Sequence, residues 1–236
     1  MLTTTVAGLV VLSACFGPPP EGPPLTAVNP GPPPLYVAVG ASDSAGVGSD
    51  VRLRDAWPQV FFRSSLPREM TFVNLAVEGS TVADALQRQM AEAVRLEPGL
   101  VTVWLNVNDI IRGVTAAAYE AQLGQLVTRL RRDGATRVLV GNVPPLDLLA
   151  AYETLAASRG GPPRSTVDAV IDAYNQATAR VARDAGAVLV DLHAAGLAAR
   201  AAGTEAGLVA ADGFHPSNEG HRRIAAIFGE ALARSR

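Results

Sequence analysis

The chain has 236 residues with 20 basic and 22 acidic side chains, a formal net charge of −2, so no global attraction to nucleic acid or anionic lipid is expected. Hydrophobic residues make up 48% and charged residues 18%, which excludes an intrinsically disordered chain and fits a protein with a substantial core. The one cysteine, Cys15, excludes an internal disulfide and a cysteine-rich metal site.

The first feature along the chain is the apolar run Val6 to Leu12, too short to span a bilayer as a mature helix but suited to the core of an export signal. Residues 1–14 are therefore expected to be a signal peptide. Leu12-Ser13-Ala14-Cys15 resembles the bacterial lipobox, in which small residues admit the signal peptidase and the cysteine thiol receives a diacylglyceryl group. That resemblance implies an exported protein held to the cell membrane through lipidated Cys15, facing the periplasm or the exterior. No Lys or Arg precedes the apolar run, a departure from the usual positive start. Residues 15–34 form a linker that holds most of the chain's 17 prolines, a semi-rigid spacer with few backbone donors.

Residues 35–236 are enough for one domain. Short β-branched or apolar runs predict strands at Leu35 to Val39, Thr71 to Leu75, Leu100 to Leu105, Arg137 to Gly141 and Ala187 to Asp191. Helical spacing separates them. It places Val82, Leu86 and Met90 on one face, then Tyr119, Leu123, Leu126 and Leu130, then Val167, Ile171, Tyr174 and Val181. Gly134 is read as the residue that closes the second of these helices, and Gly160-Gly161-Pro162-Pro163 as the break before the third. A last helix carries Ile224, Ile227, Phe228 and Ala231, with Ser217 as its N-cap. Near-continuous apolar strands alternating with helices predict a three-layer α/β/α sandwich with a central, mostly parallel, five-stranded sheet. In such sheets ligands bind beyond the carboxyl ends of the strands, so polar residues just after strands are the place to look for chemistry.

After the first strand comes Gly40-Ala41-Ser42-Asp43-Ser44-Ala45-Gly46-Val47-Gly48, a glycine-punctuated turn able to project a hydroxyl into a cleft. After the second comes Gly79, ahead of a helix. After the third, Asn106-Val107-Asn108-Asp109 offers an amide that could face a carbonyl oxygen. Near the C-terminus, Asp212 and His215 lie three apart around one turn, so the carboxylate can fix the imidazole tautomer while the other ring nitrogen takes a proton from serine. His193 and His221 read as surface or capping residues. Dispersed histidines without paired spacing give no metal site, and no cofactor is expected.

These blocks, in this order, resemble the SGNH or GDSL-like hydrolase family from about Leu35 to the end. The likeness rests on Gly40-Ala41-Ser42, Gly79, Asn108, and Asp212-Gly213-Phe214-His215-Pro216 followed by Asn218-Glu219-Gly220-His221. The resemblance implies the flavodoxin-like SGNH fold and a serine esterase or lipase cleaving carboxyl esters through an acyl-enzyme. It implies Ser42 as nucleophile, His215 as base and Asp212 as orienter, with an oxyanion hole made by the N–H groups of Ser42 and Gly79 and the Asn108 amide. Ala41 stands where the family has Asp, and Asn106 where it has Gly. Asp43-Ser44 is an alternative alignment of the first block. The expected partner is a small-molecule or glycan ester, with the membrane touched through the lipid anchor, no nucleic acid bound, and a monomeric state. An inactive surface-anchored binding protein and an acyltransferase with a sugar hydroxyl acceptor stay open as alternatives.

Overall fold

All five expected strands form, each end within one residue of the sequence reading: β1 (Leu35–Gly40), β2 (Thr71–Asn74), β3 (Leu100–Trp104), β4 (Arg137–Gly141) and β5 (Val188–Val190). The computed structural model describes residues 34–235, so the expected signal peptide, Cys15 and nearly all of the proline-rich linker lie outside the described residues. The sheet runs in the order β2-β1-β3-β4-β5 and every pairing is parallel, with Val37 opposite Val73 on one side and Val101 on the other.

The helices follow as α1 (Ser42–Ala45), α2 (Arg52–Asp55), α3 (Trp57–Ser65), α4 (Val82–Arg88), α5 (Met90–Arg95), α6 (Val107–Ile111), α7 (Ala116–Arg131), α8 (Tyr152–Arg159), α9 (Arg164–Ala185), α10 (Leu192–Ala201) and α11 (Asn218–Arg234). Strand residues alternate between two cores, as a period of two requires. Val37, Val39, Val101, Val103, Val138 and Val140 pack with α4, α5, α7 and α9, where Tyr119 and Tyr174 stack at 4.3 Å. Tyr36, Ala38, Leu139 and Val190 face α3 and α11, where Trp57 stacks on Phe228 at 4.2 Å. Both faces of the sheet are thus covered. Each such fully buried side chain stabilises the fold by about 1.5–3 kcal/mol, so the two cores hold the strand ends rigidly.

Three local expectations change. The Val82, Leu86, Met90 face is split between α4 and α5 at Gln89, whose buried side chain is taken up by the end of β1. Helix α7 closes on Arg132 in the left-handed region, and Gly134 belongs to the 3-10 turn that follows. His221 is neither at the surface nor a cap. It is fully buried, accepts the Trp57 N–H on Nδ1 at 3.2 Å and lies 3.1 Å from Val47 O through Nε2. Desolvation pushes its pKa down, which favours the neutral ring that this arrangement needs. Ser217 caps α11 as expected, accepting the Gly220 N–H.

Strand order reverses at β1, since β2 lies on one side of it and β3 on the other. The crevice beyond the carboxyl ends of β1 and β3 is the switch point where α/β sheets bind ligands.

Candidate active site

Ser42 is the first residue of α1, directly beyond β1. At that position its N–H has no acceptor one helical turn back, so it is left free to face a ligand. The end of β1 is clamped from the side: Gly40 N–H donates to Gln89 Oε1 and Gln89 Nε2 donates to Gly40 O, both at 3.0 Å. Gly48, at φ 90°, lets the serine loop approach the histidine loop, because a Cβ there would lie 2.3 Å from Pro216 O. Ser44 is fully buried and its Oγ has no hydrogen-bond partner among the described residues, so of the two serines only Ser42 reaches His215. Ala41, where the family pattern has Asp, packs into the core.

His215 is presented by a tight turn. Val209 and Pro216 form an antiparallel bridge, Ala210 N–H donates to His215 O at 2.8 Å, and Ser217 N–H donates to Leu208 O at 2.8 Å. Asp212 accepts from the backbone N–H of Phe214 at 2.9 Å and of His215 at 3.0 Å through Oδ1, leaving Oδ2 for the ring at 2.6 Å. Burial pushes the Asp212 carboxyl up, but the hydrogen bonds from His215 and the two backbone donors outweigh it and hold the pKa below the usual carboxylate value. An ionised carboxylate only accepts, so His215 Nδ1 carries a hydrogen. In the neutral ring that leaves the lone pair of Nε2 toward Ser42 Oγ, 3.1 Å away. Asp212, His215 and Ser42 are thus brought into one line.

Gly79 and Asn108 are joined through the turn between them. Gly79 sits at φ 75°, a conformation costly for any residue with a side chain. Asn108, in α6, donates one amide hydrogen to Ser80 O at 3.1 Å and keeps the other. Three further residues hold this turn; Asp109 lay in the block after the third strand without a role of its own, and Arg112 and Gln89 did not stand out in the sequence. Arg112 donates to Gly79 O at 2.7 Å, Gln89 Nε2 reaches Ser80 Oγ at 3.3 Å, and buried Asp109 accepts the Val82 N–H at 3.2 Å. Asn106 ties the end of β3 to β4 through Gly141 O at 3.2 Å. The only available signal for these residues was polarity within apolar surroundings.

Desolvation raises the Asp109 carboxyl to about 7, with the Val82 N–H, its own backbone N–H and Arg112 opposing and Asp84 adding to the rise. A raised acid pKa means that the folded state holds the proton more tightly than the unfolded chain. The stabilisation is complete below about pH 4 and is lost as pH rises through 7, an effect of a few kcal/mol at most. Asp109→Asn mimics the protonated form. The melting-temperature advantage of the wild type over this variant is therefore expected to shrink between pH 5 and pH 8.5, and a constant difference would refute the buried acid.

Beside His215 opens a largely apolar cleft of about 130 Å³, lined by Trp104, Val107, Leu146, Leu192, Phe214 and Ile224 together with the carboxyl-bearing Asp43. His193 is half-buried away from it, its backbone N–H bonded to Asn142 Oδ1 and its ring 3.2 Å from Val143 O.

A nucleophile, its base and a set of strand-end donors are the parts an acyl-transfer enzyme requires, and known proteins carry the same likeness. Esterase TesA of Pseudomonas aeruginosa is 26% identical over 190 residues, covering 80% of this chain and 82% of that protein. The solved lipase/acylhydrolase of Enterococcus faecalis superposes with a TM-score of 0.67 at 21% identity, over 86% of this chain and 96% of its own. Axe2, an acetylxylan esterase from Geobacillus stearothermophilus, gives 0.63 at 21% identity, over 84% and 94%. The GDSL-like lipase/acylhydrolase model matches residues 38–223, which takes in Ser42, Gly79, Asn108, Asp212 and His215, and the chain is an esterase belonging to that family.

Proposed function

We infer that the protein hydrolyses carboxyl esters through an acyl-enzyme on Ser42. The observation that carries this reading is the continuous hydrogen-bonded line from Asp212 through His215 to Ser42, ending beside the apolar cleft. Ser42 Oγ attacks the ester carbonyl carbon while its proton passes to His215 Nε2, and Asp212 stabilises the imidazolium that results. The carbonyl oxygen, now an oxyanion, accepts from the N–H groups of Ser42 and Gly79 and from the free Asn108 amide hydrogen. Collapse breaks the bond to the alcohol oxygen, which leaves with the proton from Nε2. Water then enters, gives a proton to Nε2 and attacks the acyl carbon. The second collapse releases the carboxylic acid and returns the proton to Ser42 Oγ.

A covalent intermediate is the distinguishing feature of this route. After brief reaction with p-nitrophenyl butanoate, acid quenching and digestion, the peptide carrying Ser42 is expected to gain the mass of a butanoyl group. Steady turnover with that peptide unmodified at all quench times, and the acyl mass on another residue, would overturn the assignment.

A further inference from the structure

The cleft beside His215 is apolar except at a few points, and the charged ones differ in kind. Glu205 is held by Arg200 at 2.9 Å, and Arg223 lies 3.7 Å from Glu230. Asp43 is different. It is half-buried, follows the nucleophile directly in sequence, and makes no hydrogen bond or ion pair with another side chain among the described residues. A carboxyl group in an apolar recess is unfavourable unless something hydrogen-bonds or neutralises it.

The size of the recess limits what that partner is. At about 130 Å³ the cleft is smaller than the pocket for a whole drug-sized ligand, typically about 300–1,000 Å³. A cavity of about 150 Å³ holds one benzene, so the cleft accepts one compact portion of a substrate and leaves the rest outside. We propose that Asp43 is a specificity-determining residue which selects esters whose compact, cleft-seated portion carries an ammonium group close to the ester. The ammonium supplies the charge that Asp43 lacks, and the apolar walls take the hydrocarbon around it. Burial raises the Asp43 pKa, while the charge of His215 and the hydrogen bond from its own backbone N–H lower it and the charge of Asp212 raises it, so a bound cation favours the ionised carboxylate. The inference rests on Ser42 as the nucleophile.

Two pairs of esters, each of near-equal shape, isolate the charge. On the acyl side, p-nitrophenyl L-valinate is compared with p-nitrophenyl 3-methylbutanoate; on the alcohol side, butyrylcholine with 3,3-dimethylbutyl butanoate. Forming the cationic-to-neutral ratio of kcat/KM and comparing it between proteins removes the intrinsic reactivity of each ester. For at least one pair, Asp43→Asn is expected to lower that ratio by about 10- to 100-fold, the range for a hydrogen bond to a charged group. Asp43→Leu is expected to lower it at least as far, with thermal melts establishing that both variants are folded. Ratios within about fivefold of wild type for both pairs would overturn the proposal. So would an equal loss on cationic and neutral members, which marks Asp43 as electrostatic support for His215 alone. Ser42→Ala separates the two failures: if it still hydrolyses the esters, the nucleophile is wrong. If it is inactive while the ratios do not move, only the specificity assignment falls.

Discussion

Ser42→Ala is expected to abolish both ester turnover and labelling by a fluorophosphonate, whereas Ser44→Ala keeps both. The two serines lie two residues apart in one short helix, yet their surroundings differ completely. Ser42 Oγ is 3.1 Å from His215 Nε2, while Ser44 is fully buried with an unpartnered hydroxyl. A fluorophosphonate reacts with a serine whose proton is taken as the bond forms, and only a base within hydrogen-bond reach does that. Loss of the nucleophile should lower kcat by about 10⁴- to 10⁶-fold, and His215→Ala by a similar factor, since such residues act as a unit. Asp212→Asn should cost less than either, because the carboxylate orients and stabilises the imidazole without bonding to the ester. Ser44→Ala removes a buried hydroxyl that has no partner, so its melting temperature is expected to stay level or rise. Labelling kept in Ser42→Ala and lost in Ser44→Ala would shift the first block by two residues.

The second large effect is expected at Asn108. Asn108→Ala should lower kcat by about 10²- to 10³-fold with a small change in KM, because in the proposed mechanism the lost donor faces an oxyanion that exists only after attack. The same substitution removes the bond to Ser80 O, worth about 1 kcal/mol to the fold. A modest fall in melting temperature should therefore accompany the kinetic loss. The kcat-against-KM split distinguishes the roles: a residue that only supported the turn would disturb ester binding as well. An unchanged kcat would remove Asn108 from the oxyanion hole.

Arg112, Gln89 and Asp109 sit behind that donor set, and their arrangement explains how three separated strand ends make one site. Gln89 bonds both Gly40, at the end of β1, and Ser80, in the turn after β2. Arg112, just beyond α6, and Asp109, on it, bond the backbone of Gly79 and Val82 respectively. Preorganised donors of this kind need no rearrangement as charge develops. The turn that carries Gly79 is therefore fixed from below by side chains that do not themselves face the cleft.

By itself, the sequence determined the layered α/β fold, because alternation of short Val- and Leu-rich runs with segments of helical spacing is a local property and both faces of the sheet must be covered. It also determined where α11 begins, since Ser217 caps a helix whose signals lie within four residues, and it brought Asp212 and His215 together, since one turn joins them. The pairing of Ser42 with His215 spans 173 positions and was legible only through resemblance to known relatives, not from spacing. What only the tertiary structure decided is how residues far apart meet. Gln89 and Gly40 are 49 positions apart, Asp109 and Val82 are 27, and His221 and Trp57 are 164, and none of these pairings follows from local pattern. A polar residue on an apolar helix reads the same whether it is solvated or clamped to a distant backbone. Strand order and the packing of α11 against α3 decide between the two: they bury His221 and Ser44, turn Asp43 into the cleft, and place Ser42 within hydrogen-bond reach of His215.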